Sequence, residues 1–215
     1  MIPLALLALG PALDAHWHAV LACPRVGVPG AAQGSGVVVG VRDGFAYLLT
    51  ANHVAAADRV EVRFTSRESF PKTAWYGDGA AVVARSPDPD LALVRFPLRE
   101  HRPAVLPVAP AWQRPRAFPA PAASTGAATG DAATPRGEAI GAKEFVKREG
   151  RGGAFFWRTV SPPEQGRSGG PLLDERGRVI GIAVAARGGA GYYAHHDEIL
   201  AALKRDGQGW LVPNP

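Results

Sequence analysis

The sequence predicts an all-β protein, two antiparallel β-barrels followed by one C-terminal α-helix. Short apolar or alternating runs recur from residue 16 onward and are split by turn signals, as in barrels and sandwiches. A tract rich in proline and alanine divides these runs into two groups, and only one segment has the period of an amphipathic helix.

The first group, residues 16–100, holds "HAVLAC", "SGVVVGV", "AYLLTA", "VEVRF", "AAVVAR" and "LALVRF", enough candidate strands to close a small barrel. Turns such as "RDG" and "SPDPD" separate them. Residues 101–137 read as a linker with long loops, because proline blocks helices and central strands alike. Strand signals resume over residues 138–215 with "EAIGAKEFV", "GAFFWRTV", "RVIGIAVA" and "GYYAH", and Phe155, Phe156 and Trp157 are expected in the core. The helix is "DEILAALKR": Asp197 as N-cap, Ile199, Leu200 and Leu203 on one face, Lys204 and Arg205 in the last turn, Gly207 beyond.

Composition narrows the functional classes. With 215 residues, 47% hydrophobic and 20% charged, the chain can bury a substantial core. The single cysteine, Cys23, excludes an internal disulfide framework and reads as a small buried hydrophobe. The net charge of +5 comes from scattered arginines with no dense basic block, so no nucleic-acid partner is expected. The apolar start "MIPLALLALGPALDA" is too short to span a membrane, and no stable insertion is expected. Residues 1–15 fit a signal-peptide core and hence export to the envelope, periplasm or exterior, although no basic residue precedes Arg25. A start-site or core-strand explanation, with a cytoplasmic protein, competes.

The stretch "EQGRSGGPLL" surrounds Ser168 with three glycines and a proline. A tight surface turn has the same composition, and G-x-S-x-G is also the nucleophile elbow of α/β hydrolases. An elbow, however, needs a helix after the serine and both its acid and its histidine later in the chain. Here Pro171 and a strand follow, and the later histidines, His195 and His196, flank the terminal helix. His53 sits just past the strong strand "AYLLTA", and Asp90 stands directly before "LALVRF", with Asp88 as its rival. These types belong together chemically: a serine hydroxyl needs a base, and a histidine acting as base needs a carboxylate to fix its tautomer. The backbone N–H groups of Gly166 and Ser168 can then converge on the oxyanion, Gly166 leaving that approach free of a Cβ. Gly169 and Gly170 are expected to pack closely behind the nucleophile.

Through "TANH" (50–53), "DLAL" (90–93) and "GRSGGP" (166–171), in the order His, Asp, Ser, the chain resembles the chymotrypsin-like (trypsin-like) serine peptidases. The plain "LLTANHV" and "SGGPLLDERGRVIGI" are most similar to the bacterial HtrA-type protease domain, here expected without a PDZ domain. The resemblance implies two six-stranded barrels and an endopeptidase working through an acyl-enzyme, with catalytic His53, Asp90 and Ser168 and an oxyanion hole at Gly166 and Ser168. It further implies a protein or peptide substrate, and a primary pocket at Pro162, Val184, Ala185 and Ala186. No charged residue marks that pocket's base, so small or medium apolar side chains are expected there. Arg167 departs from the family, since animal digestive relatives carry an acidic residue there that pairs with a new N-terminus. Arg167 is therefore expected to anchor to the second barrel, with attraction of acidic substrate groups as the other reading. Neither the adjacent His195 and His196 nor "HWH" (16–18) has metal-ligand spacing, and no metal or cofactor is expected. A catalytically silent binding or scaffold protein on the same fold is the alternative.

Overall fold

The computed structural model describes residues 10–31, 33–77, 79–110, 117–128, 130, 132–147 and 152–214. The chain opens with helix α1 (Gly10–Leu21) and continues through β1 (Arg25–Gly27), β2 (Gln33–Arg42), β3 (Phe45–Ala51), β4 (Glu61–Phe64), β5 (Trp75–Tyr76), β6 (Ala81–Ser86) and β7 (Leu91–Pro97). The second unit holds β8 (Ala120–Gly126), β9 (Thr134–Lys147), β10 (Gly153–Thr159), β11 (Pro171–Leu173), β12 (Val179–Arg187) and β13 (Ala190–His195), followed by α2 (His196–Arg205) and a 3-10 turn at Gly209–Leu211.

The two-barrel architecture with a C-terminal helix is the one expected, with differences of detail. The first sheet has seven strands, ordered β5-β4-β1-β2-β3-β7-β6. The segment leading into β4 reaches across to β6, where Arg59 bridges Ala81, flanked by Val60 N–H donating to Ala80 O at 3.2 Å and Val82 N–H to Asp58 O at 2.9 Å. The second sheet is a closed barrel, ordered β10-β13-β12-β11-β8-β9. Both faces of β10 are covered at its middle, where Phe156 and Trp157 are buried in two different clusters, but Phe155 near its start lies exposed against Phe145, so Phe155 is not the core residue expected.

The expected strand "HAVLAC" is instead the last turn of α1 and the residues after it. A six-residue apolar run does not separate strand from helix. Pro11 in the first turn and Pro24 just past the end are the signals that delimit this helix. Of the stretch read as a signal peptide, residues 1–9 lie outside the described residues and 10–15 form the first half of α1, where Asp14 pairs with Arg67 at 3.1 Å.

The tract 101–137 is more than a linker, since it contributes all of β8 and the start of β9 to the barrel. Proline survives there because β8 pairs with β11 only at Ala123 and Ser124. Pro121 therefore lies where β9 is its only neighbour. At α2 the N-cap is His195 rather than Asp197. The His195 Nδ1 accepts the Asp197 N–H at 2.9 Å, which puts Asp197 inside the first turn. Among the described residues no helix is long and apolar enough to cross a membrane, and no cluster of three metal-ligating side chains occurs.

Candidate active site

His53 and Asp90 meet because β3 and β7 are paired neighbours, with Ala51 opposite Leu91. The turn after β3 therefore lies against the turn before β7. Three bonds join these turns: Asn52 N–H to Asp90 O at 2.9 Å, His53 N–H to Asp90 Oδ1 at 3.0 Å, and His53 Nδ1 to Asp90 Oδ2 at 2.7 Å. A carboxylate only accepts, so Nδ1 carries the proton and Nε2 keeps a free lone pair. Asp90 reaches this position with φ of 60°, a left-handed conformation that Asp tolerates better than most residues. Its side chain is buried, whereas that of His53 is 45% exposed. Asp88 turns away and accepts the Gly152 N–H at 3.0 Å.

The histidine turn is fastened from below. Arg85 on β6 donates to Asn52 Oδ1 and Ala57 O, each at 2.9 Å, and also to Ala55 O. Sequence reading gave Arg85 no role. Its only signal was a cation at the end of a strand facing a turn rich in carbonyls.

Ser168 lies on the loop between β10 and β11, brought onto the first sheet by Ser35 of β2. Fully buried, Ser35 donates its N–H to Ser168 O at 2.7 Å and its hydroxyl to Gly166 O at 2.9 Å, and its Oγ accepts the Ala127 N–H at 2.9 Å. Thr50 Oγ1 holds the Ser35 carbonyl at 2.7 Å. Ser35 was also missed, since a serine between two glycines is indistinguishable from a loop residue in sequence. Gly169 fits this seam only as glycine: at φ of 88°, a Cβ would sit 2.0 Å from Ser35 O and 2.3 Å from Thr50 Oγ1. That contact puts the serine loop against Thr50 and Ala51, just ahead of His53.

Gly166 has φ of 89°, and its N–H, like that of Ser168, donates to no acceptor among the described residues. Two unspent donors thus flank Arg167, whose own N–H is taken by Glu164 O at 3.1 Å. The His53 ring bonds to Asp90 and makes no hydrogen bond to the Ser168 hydroxyl.

Arg167 takes up the anchoring position expected of it. Its side chain is 2% exposed and runs into the second barrel, donating to Gly126 O at 3.1 Å, Thr134 O at 2.9 Å and Ser124 Oγ at 3.0 Å. Ser124 passes its own proton to the buried Glu138 at 2.8 Å, and Arg136 stands 3.8 Å from the same carboxylate. The cation beside Ser168 is therefore held within the barrel, linked through Ser124 to Glu138.

Of the expected pocket residues, Val184 and Ala185 line a cleft of about 960 Å³ whose lining includes Asp90. Pro162 and Ala186 are exposed and do not line it. Residues absent from the sequence-based pocket do, notably Glu144, Lys147, Arg158 and Arg187.

The family described as "Trypsin-like peptidase domain" matches residues 34–182. No curated protein matches. Among solved structures, the chain is similar to a serine-to-alanine mutant of Rv3671c from M. tuberculosis H37Rv in its inactive form, with a TM-score of 0.71 and 22% identity over 96% of this chain and 95% of that one. It is also similar to Deg5 (TM-score 0.69, 18% identity, 88% of this chain and 90% of that one). The MamO protease domain from Magnetospirillum magneticum gives a TM-score of 0.67 at 22% identity, over 86% of this chain and 96% of that one. These identities show a shared fold.

Proposed function

The chain belongs to the trypsin-like peptidase family, and from that premise we propose that it is a serine endopeptidase in which Ser168 is the nucleophile, His53 the general base and Asp90 the group that orients it. The observation that carries the reading is the bond that His53 Nδ1 donates to Asp90 Oδ2, which fixes the ring and leaves Nε2 as a base.

In the proposed mechanism, Ser168 Oγ attacks the substrate carbonyl while His53 Nε2 takes the hydroxyl proton. The carbonyl π electrons move onto oxygen, and that oxyanion accepts from the N–H groups of Gly166 and Ser168. The C–N bond then breaks as His53 returns the proton to the leaving amine, giving an acyl-enzyme. Water, deprotonated by the same histidine, repeats the sequence and frees the carboxylic acid and Ser168. The bond from Ser168 to His53 closes as substrate fills the site, since catalytic hydrogen bonds tighten in the Michaelis complex. Cleavage after small or medium apolar residues fits the apolar walls at Val184 and Ala185.

Export is part of the same proposal, with the apolar N-terminal segment as its signal. A fluorophosphonate probe tests the chemistry: it should label the wild type and leave the folded Ser168→Ala variant unlabelled. Absence of labelling in folded wild-type protein would instead assign a silent scaffold.

A further inference from the structure

The far half of β12 has an open edge. On the side of β11, its last bonds are Gly169 N–H to Ala183 O at 2.7 Å and Ala183 N–H to Gly170 O at 2.9 Å. Beyond them, Val184 sits in a bulge and Ala185 to Arg187 pair only with β13 among the described residues. An extended peptide can therefore add to this edge with the polarity of β11, antiparallel to β12, starting next to Ser168.

The same edge walls the 960 Å³ cleft, which the end of β9 faces. The two acids of the cleft are engaged. Asp90 gives both carboxylate oxygens to His53, and Glu144 forms an ion pair with Arg158 Nε at 3.2 Å and accepts from the Tyr192 hydroxyl at 3.4 Å. Two exposed cations remain, Lys147 at the end of β9 and Arg187 at the end of β12, neither with an acidic partner among the described residues. The cleft thus combines a free backbone edge, an apolar floor at Phe156 and a surplus of positive charge at its outer end.

We infer that Lys147 and Arg187 form a subsite for an acidic side chain of the substrate peptide, an inference that rests on the peptidase reading above. A residue cleaved opposite Val184 places the side chain about three residues to its amino side beside Arg187, at roughly 3.3 Å per residue. A glutamate or aspartate there meets two cations that have no acidic partner among the described residues. A lysine there meets like charge. Arg167 takes no part, because its guanidinium is buried in the barrel.

The test is a series of fluorogenic peptides differing only at that position, with Glu, Gln or Lys, cut by the full chain. Glu should raise kcat/KM about 5-fold over Gln, and Lys should lower it, as expected of partly exposed charge pairs. The Glu to Gln ratio should fall toward one in 0.5 M salt and in the double variant K147Q/R187Q. Equal rates for Glu and Gln peptides, or a preference that survives in the double variant, would overturn the subsite. Binding of the same peptides to Ser168→Ala, read by fluorescence anisotropy, separates the two claims. Tighter binding of the Glu peptide without any cleavage by the wild type would sustain the subsite and remove the peptidase reading. Cleavage without preference would do the reverse.

Discussion

The two β units hold their share of the site by different means. The first sheet positions His53 and Asp90 through regular pairing: two adjacent strands end together, and three hydrogen bonds join their turns. The second barrel presents Ser168 on an irregular loop held by side chains and close packing, namely Ser35 across the seam, the absent Cβ of Gly169 and the buried arms of Arg167. Strand pairing tolerates change at any one side chain. A loop held by specific contacts does not. On the proposed mechanism, His53 and Asp90 should therefore be sensitive in chemistry and the Ser168 loop sensitive in stability.

Asp90→Asn is the largest expected effect. The amide would keep the size but lose the carboxylate that fixes the His53 tautomer, and kcat should fall on the order of 10³ to 10⁴-fold. Thermal unfolding should shift by only a few degrees, because the strands that set the turn remain. A drop below tenfold, measured on any cleaved peptide, would break the comparison on its first side.

Gly169→Ala comes next and should act on stability first. Its Cβ would press on the Ser35 carbonyl in a left-handed conformation, costing on the order of 3 kcal/mol or more in denaturant unfolding. Arg167→Met should cost about 2–4 kcal/mol, because it takes a buried charged donor from Gly126 O, Thr134 O and Ser124 Oγ. It should also lower kcat more than it raises KM, since the oxyanion donors on either side of residue 167 lose their support. Arg167→Lys should recover little of this, because one ammonium does not span the partners of a guanidinium fork. An Arg167→Met enzyme with wild-type stability would show that the loop is held by glycine packing alone.

This contrast also explains what could be read from sequence. Long apolar strands such as β2, β3, β7 and β12 declare themselves by pattern, and a histidine or aspartate at their ends inherits a predictable place. Ser35 and Arg85 did not, because their roles depend on which carbonyls the fold brings near them, and pattern carries no such information. The strand β8 was hidden by Pro121 and by small residues, a strand visible only once its one-sided pairing is known. The helix α1 was hidden by its length, since only its last residues fall in the run that resembled a strand. The charged lining of the cleft was missed because Lys147 and Arg187 lie 40 positions apart and come to line one cleft only through the barrel.

The smallest expected effect probes the seam between the two units. Cys23 is buried there, its thiol donating to Gly36 O at 2.9 Å in the first sheet and lying 3.5 Å from Thr125 O in the second. Burial pushes its pKa up to about 12, a shift that the nearby Arg167 cation only partly opposes. Tyr193, buried beside Glu138 in the second barrel, is also pushed up to about 12. Both groups bind their proton more tightly when folded. Their contribution to stability is therefore complete below pH 9, where the unfolded thiol is still protonated, and is lost as the pH rises toward 12. The unfolding free energy should fall across that window with a slope of up to about 1.4 kcal/mol per pH unit for each group titrating. Urea unfolding at pH 8, 9.5 and 10.5 measures the slope. Cys23→Ala should remove the part that begins near pH 9 and leave the part that begins near pH 10, where unfolded tyrosine ionises. An unchanged slope in Cys23→Ala would mean that the thiol reaches solvent and that the seam is looser than its hydrogen bonds imply.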